Sequence, residues 1–133
     1  MAAVVTTPEQ GNKLISLGIS RMSADFFWSK QRFTSKTSPD GPKISVIERE
    51  YYSLYKINSP FYRIDAYAWS IASLLEILHV HPYPKLVQDA SGWRCRVNTV
   101  IGGIEGEFGT GYYSEPIEAC VEMIAFMKMN GLL

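Results

Sequence analysis

Lys85-Leu86-Val87-Gln88-Asp89-Ala90-Ser91-Gly92-Trp93-Arg94-Cys95-Arg96-Val97-Asn98-Thr99-Val100-Ile101-Gly102-Gly103-Ile104-Glu105-Gly106-Glu107-Phe108-Gly109-Thr110-Gly111-Tyr112-Tyr113 is the stretch on which the fold turns. Successive side chains of a strand point to opposite faces. From Trp93 the residues alternate, with Trp93, Cys95, Val97, Thr99 and Ile101 on one face and Arg94, Arg96 and Asn98 on the other. From Ile104 they alternate again, and the double glycine Gly102-Gly103 suits the centre of a two-residue hairpin turn. The register that follows sets Ile101 opposite Ile104, Val97 opposite Phe108 and Trp93 opposite Tyr112. It gathers Arg94, Arg96 and Asn98 with Glu105 and Glu107 on the second face. A slip of one residue would mix the two faces, so the pattern specifies its own register. Lys85 to Gln88 adds a third short strand, joined by the turn Asp89-Ala90-Ser91-Gly92.

Helices flank these strands. Ser70 stands as N-cap before Ile71, Leu74, Leu75 and Leu78, which recur at helical spacing. Trp69 and Leu74 have the spacing of a hydrophobic staple, and Pro82 and Pro84 stop the helix from continuing. After the strands a helix is expected from near Ser114, with Glu115 and Pro116 in its first turn and Asn130-Gly131 as its stop. Its buried stripe is Ile117, Cys120, Val121, Ile124 and Met127. Met123, Phe126 and Met129 widen the apolar surface beyond one stripe, so either two layers cover this helix or it offers an interface. The expectation is an α+β fold: an antiparallel sheet with helices packed on it, built on an αβββα unit.

The first half adds Thr7-Pro8-Glu9, a helix start, followed by Leu14, Ile15 and Leu17, with Gly18 to close the helix. Gly11 inside that helix costs about 1 kcal/mol relative to alanine, so the helix needs tertiary support. Phe26 to Phe33 reads as a strand, Thr34 to Lys43 as an exposed loop, and Ile44 to Asn58 as either strand or helix. Residues 1–133 are expected to form one domain, with residues 1–65 packed as an extension on the unit of 66–133.

The chain carries 13 Lys and Arg against 13 Asp and Glu, but the balance is a cancellation. Residues 1–65 hold nine basic and six acidic side chains, and residues 66–133 hold four and seven. The acidic second half excludes a protein built as a whole to hold phosphates. The segment 27–43 is the exception. There Trp28, Lys30, Arg32 and Lys36 combine aromatic rings and cations, a pairing that can stack and neutralise single-stranded nucleic acid. Against it stands an edge strand studded with lysine to prevent aggregation.

Catalytic and metal patterns are sparse. His79 and His81 share a face of an extended segment, but no third ligand has the spacing, so no metal is expected. The glycines at 102–111 lie in a turn and a strand and lack the strand–turn–helix context of a phosphate loop, so no cofactor is expected. There is no serine elbow, and neither Cys95 nor Cys120 has the cationic setting of a reactive thiol. Both cysteines read as buried free thiols. Glu105 and Glu107 read as a charge lattice with Arg94 and Arg96, and not as an acid–base pair. An enzyme site near His79, His81 and Tyr83 would need a pocket beside them. The N-terminus lacks the basic residue and apolar run of a signal peptide, and no stretch approaches the roughly 18 apolar residues of a membrane span, so a cytoplasmic protein is expected.

The order helix, three strands, helix, ending in Tyr112-Tyr113-Ser114-Glu115-Pro116-Ile117-Glu118-Ala119-Cys120, resembles the layout of double-stranded RNA-binding domains and of the HicB antitoxin fold. Glu115 and Glu118 stand where the RNA-binding domains carry basic residues, so the resemblance implies the layout and not the RNA function. A second resemblance rests on Gly18-Ile19-Ser20, Ala24-Asp25, Ala68 to Leu78, Glu115 to Met123 and Asn130-Gly131-Leu132-Leu133. These look like small uncharacterised proteins of Bacteroides-type gut bacteria and their phages or prophages. That resemblance implies an origin and a fold, without an activity, and the insertion from Thr34 to Tyr62 departs from the shorter spacer of that group. The expected function is a non-enzymatic binding or regulatory protein acting by protein–protein contact. Its contact residues are Met123, Phe126 and Met129, on a protein partner or a second copy. The alternative is association with single-stranded nucleic acid through segment 27–43. No membrane partner is expected.

Overall fold

The computed structural model describes residues 4–37, 45–60 and 63–133, and of residues 32–37 and 45–50 it describes the backbone. Helix α1 spans Pro8–Ser16. Thr7 accepts the Gln10 N–H while the Gln10 side chain accepts the Thr7 N–H, a reciprocal cap, and Gly18 ends the helix at φ +91°. A short 3-10 turn at Arg21–Ser23 then leads into the first sheet.

That sheet consists of β1 (Phe26–Thr37), β2 (Ser45–Lys56) and β3 (Ala66–Ala68), in the order β2-β1-β3, antiparallel throughout. The first of its two long strands corrects the sequence reading, and the second settles one left open. Thr34–Thr37 continue the strand in place of starting a loop, and 45–56 is strand rather than helix. Pairing with a neighbour decides what β-branched and aromatic content alone left open. The rest of the expected loop, 38–43, lies outside the described residues.

Helix α2 (Ile71–Leu78) begins on the Ser70 cap, which accepts the Ser73 N–H, and Trp69 and Leu74 are both fully buried, as the staple requires. The second sheet follows: β4 (Lys85–Asp89), β5 (Gly92–Ile101) and β6 (Ile104–Gly109), in chain order. Gly102 and Gly103 take φ of +58° and +79°, the mirror-image turn that only glycine and a few short polar residues adopt freely. Ile101 faces Ile104 and Val97 faces Phe108, in the expected register.

The register changes at the far end. Trp93 pairs with Tyr113 and not with Tyr112. Thr110 is the cause. Its N–H donates to the Cys95 carbonyl at 2.9 Å, and its hydroxyl accepts the Cys95 N–H at 3.1 Å. The ladder then resumes one residue later, as at a bulge. Tyr112 is thereby turned to the exposed side, where the Arg94 guanidinium lies 5.5 Å from its ring centre.

Helix α3 (Pro116–Met129) starts two residues later than expected, with Glu115 at the cap position. It packs against β5 and β4 and against α2 and α1. Elements on two sides cover it, so Met123 joins the core. The architecture is α+β, and its second half has the αβββα order. Leu14, Ile19 and Ala24 of the first half lie in the same apolar cluster as Trp69, Cys95, Ile117 and Met127.

Candidate functional site

The three residues expected to meet a partner part company. Met123 is 1% exposed, a correction to its reading as a surface residue: α3 turns it towards the second sheet. Phe126 is 43% exposed and Met129 78%. Met123 and Phe126 nevertheless adjoin one cleft of about 320 Å³ between β6 and α3, bounded also by Phe108, Gly109, Thr110 and Tyr113. Met123 forms its floor, and Met129 lies outside it. Glu122 lines the cleft as well, its charge met by Lys13 of α1 at 2.6 Å.

β6 is the outer strand of its sheet, and its backbone borders this cleft. Backbone groups alternate along a strand. Thr110 N–H bonds back to Cys95, so the even-numbered residues of β6 face β5, and the N–H and C=O of Glu105, Glu107 and Gly109 point away from the sheet. The glycine at 109 has a local reason. A Cβ there would lie 2.6 Å from Nε of Arg94, which donates to the Thr110 carbonyl at 2.7 Å.

On the outer face only part of the expected charge lattice forms: Glu107 meets Arg96 at 3.2 Å, and also Lys85 at 3.0 Å, which the sequence reading does not include. The hydrogen bond from Lys85, with the charges of Lys85 and Arg96, holds the Glu107 carboxyl below the usual range against the opposing effect of desolvation. Its folded value is depressed, so the stabilising contribution is present above the unfolded value and is lost as pH falls through the folded one. Arg94 lies on this face but is turned to Tyr112 and Thr110. Glu105 has no ion pair or hydrogen bond with any described residue.

Of the nucleic-acid candidates, Trp28 is half-buried. Its indole N–H donates to the Thr6 carbonyl at 2.9 Å and its ring meets the edge of Tyr52, so it is not an open stacking platform. Lys30 is exposed, with its backbone N–H bonded to Asp65 at 2.7 Å. The side chains of Arg32 and Lys36 lie outside the described residues. Exposed Tyr51 and Tyr52 on β2 are aromatic surface that the sequence reading missed. The strand-or-helix ambiguity of that segment hid which residues share a face.

His79 ends α2 and is exposed, while Nε2 of His81 lies 2.6 Å from the Leu132 carbonyl. Among the described residues, no three His, Cys, Asp or Glu side chains gather as a metal site. His81 and Tyr83 do border a cavity of about 540 Å³, together with Asn98, Val100 and Glu105. Cys95 and Cys120 are free, fully buried and close to each other. The neighbouring thiol, and then burial, push the Cys120 thiol far above its ordinary range. Among the described residues no helix is long and apolar enough to cross a membrane. In comparison with known proteins, the chain matches no family model, no curated protein and no solved structure.

Proposed function

We propose that this chain is a small non-enzymatic binding or regulatory protein that takes an extended segment of a partner protein along the free edge of β6. The observation that carries the reading is the cleft between β6 and α3, where apolar Met123 and Phe126 adjoin a strand edge that is unpaired among the described residues. Strand addition draws affinity from main-chain hydrogen bonds and specificity from pockets for alternate side chains. β6 offers the first through Glu107 and Gly109, and the cleft offers the second. Phe126 is an aromatic anchor of the kind on which binding energy concentrates. The same reading places the protein in the cytoplasm and takes its origin as phage or prophage, on the resemblance carried by its helix caps and core positions.

Affinity purification from the native host with mass spectrometry identifies the partner, and the reconstituted complex then tests the site. Phe126→Glu is expected to weaken binding at least tenfold, about 1.4 kcal/mol or more, because it sets a charge against the apolar cleft. Tyr51→Lys, on the other sheet, is expected to leave binding unchanged. A partner bound equally well by Phe126→Glu overturns the reading. Salt-sensitive binding of a single-stranded oligonucleotide that Tyr51→Lys alters would put the nucleic-acid alternative in its place.

A further inference from the structure

The cavity beside His81 and Tyr83 reaches from the β4 side of β5 across to Glu105 and Gly106 of β6, and it shares no lining residue with the cleft between β6 and α3. β4 begins at Lys85, opposite Arg96, so β5 beyond Arg96 has no β4 partner. A single hydrogen bond substitutes, from the Asn98 N–H to the Pro82 carbonyl at 3.2 Å. Since backbone groups alternate, the N–H and C=O of Val100 point out of the same edge, beside Tyr83.

Tyr83 is held in an unusual way. Its φ is +54°, a conformation that side-chain-bearing residues rarely adopt and that a following proline further disfavours. The surrounding contacts impose it. His81 is fixed by its ring contact with the Leu132 carbonyl, and Pro82 by Asn98. The result is a phenol ring 75% exposed at the cavity rim. Strained residues of this kind persist where neighbouring structure over-determines them, and they cluster at ligand sites.

Glu105 supplies the charge. Its neighbour on the same face, Glu107, is neutralised by Lys85 and Arg96, while Glu105 has no cation among the described residues. No Lys or Arg occurs in the sequence between Asn98 and Met127, and the nearest cations on this face, Lys85 and Arg96, are engaged with Glu107. Val100, 51% exposed, and Pro82 add an apolar wall. We infer that this cavity binds an organic cation on an apolar stem, an alkylammonium or guanidinium group. The carboxylate of Glu105 meets the charge, the ring of Tyr83 faces it, and the open Val100 edge accepts its hydrogen bonds. Such a group comes either from a free amine or from a basic side chain of a peptide.

Amide chemical shifts of the full chain, titrated with n-butylamine and with N-acetyl-lysine methylamide, test the site. Saturable shifts at Val100, Glu105 and Gly106 are expected with the amine, and none of that size with n-butanol or butyrate. Tighter binding of the lysine derivative assigns the natural ligand to a peptide side chain, and tighter binding of butylamine to a free amine. Glu105→Gln is expected to weaken binding roughly fivefold and Tyr83→Leu roughly threefold, while Tyr83→Phe keeps it. The unshifted remainder of each spectrum verifies that these surface variants are folded. Phe126→Glu leaves amine binding intact, which separates this site from the β6 cleft. If butylamine leaves those amides unmoved, or butanol moves them as far, the inference is overturned.

Discussion

Asp25 accepts hydrogen bonds from the Ser70 N–H at 2.9 Å, from the Ser70 hydroxyl and from the Ser73 hydroxyl at 3.0 Å. It therefore ties the approach to β1 to the first turn of α2, where a negative charge also suits the helix dipole. Asp25→Ala is expected to lower stability by about 2 kcal/mol, because it strands the partly buried Ser70 N–H and hydroxyl and leaves the Ser73 hydroxyl only the Ser70 carbonyl. Urea unfolding measures this, and a loss under about 0.5 kcal/mol would show the carboxylate to be dispensable. Ser70 was legible as a cap because its partner is three residues away. Asp25 was not, since nothing local marks a residue 45 positions earlier as the second half of the same cap. Met123 and Phe126 teach the same lesson: both widen one apolar helix surface, yet only contact with the other elements separates a core residue from an exposed one.

At the scale of elements, α1 shows a local preference overridden. Glycine weakens a helix by about 1 kcal/mol relative to alanine, yet Gly11 occupies the middle of this one. The helix lies so close to β3 that a Cβ at this position would overlap the Tyr67 carbonyl oxygen, a backbone atom that cannot turn aside. Gly11→Ala is accordingly expected to destabilise the protein by roughly 2 kcal/mol despite the better helix former. Thermal or urea unfolding decides the sign, and a stabilised variant would refute the close approach. The hairpin of β5 and β6 is the opposite case. Alternation and a double glycine defined its register from Val97 to Phe108. They could not define the Thr110 bulge, which arises because one side chain satisfies a backbone group across the strand.

At the scale of the molecule, one apolar cluster runs from Leu14 to Met127 and encloses both thiols. Cys95 of β5 and Cys120 of α3 therefore report on its integrity. Both are expected to resist a thiol reagent in the native state and to react together, at a rate that rises with urea in step with global unfolding. Fast modification of either thiol in the native protein would show that the cluster opens locally. The same view explains why the two candidate binding places are both strand edges. Among the described residues the second sheet has three strands and α3 packs against β4 and β5, so the outer backbone of β6 and the end of β5 beyond β4 are left as edges.

By itself the sequence determined the α+β class, the caps of α1 and α2, the hairpin turn and the inward face of β5, because each depends on residues a few positions apart. The tertiary structure alone decided the strand at 45–56, the burial of Met123, the bulge at Thr110 and the cavity between Tyr83 and Glu105. Each of these depends on which distant backbone arrives alongside. Hydrogen bonding and packing there are settled by partners that local pattern does not name.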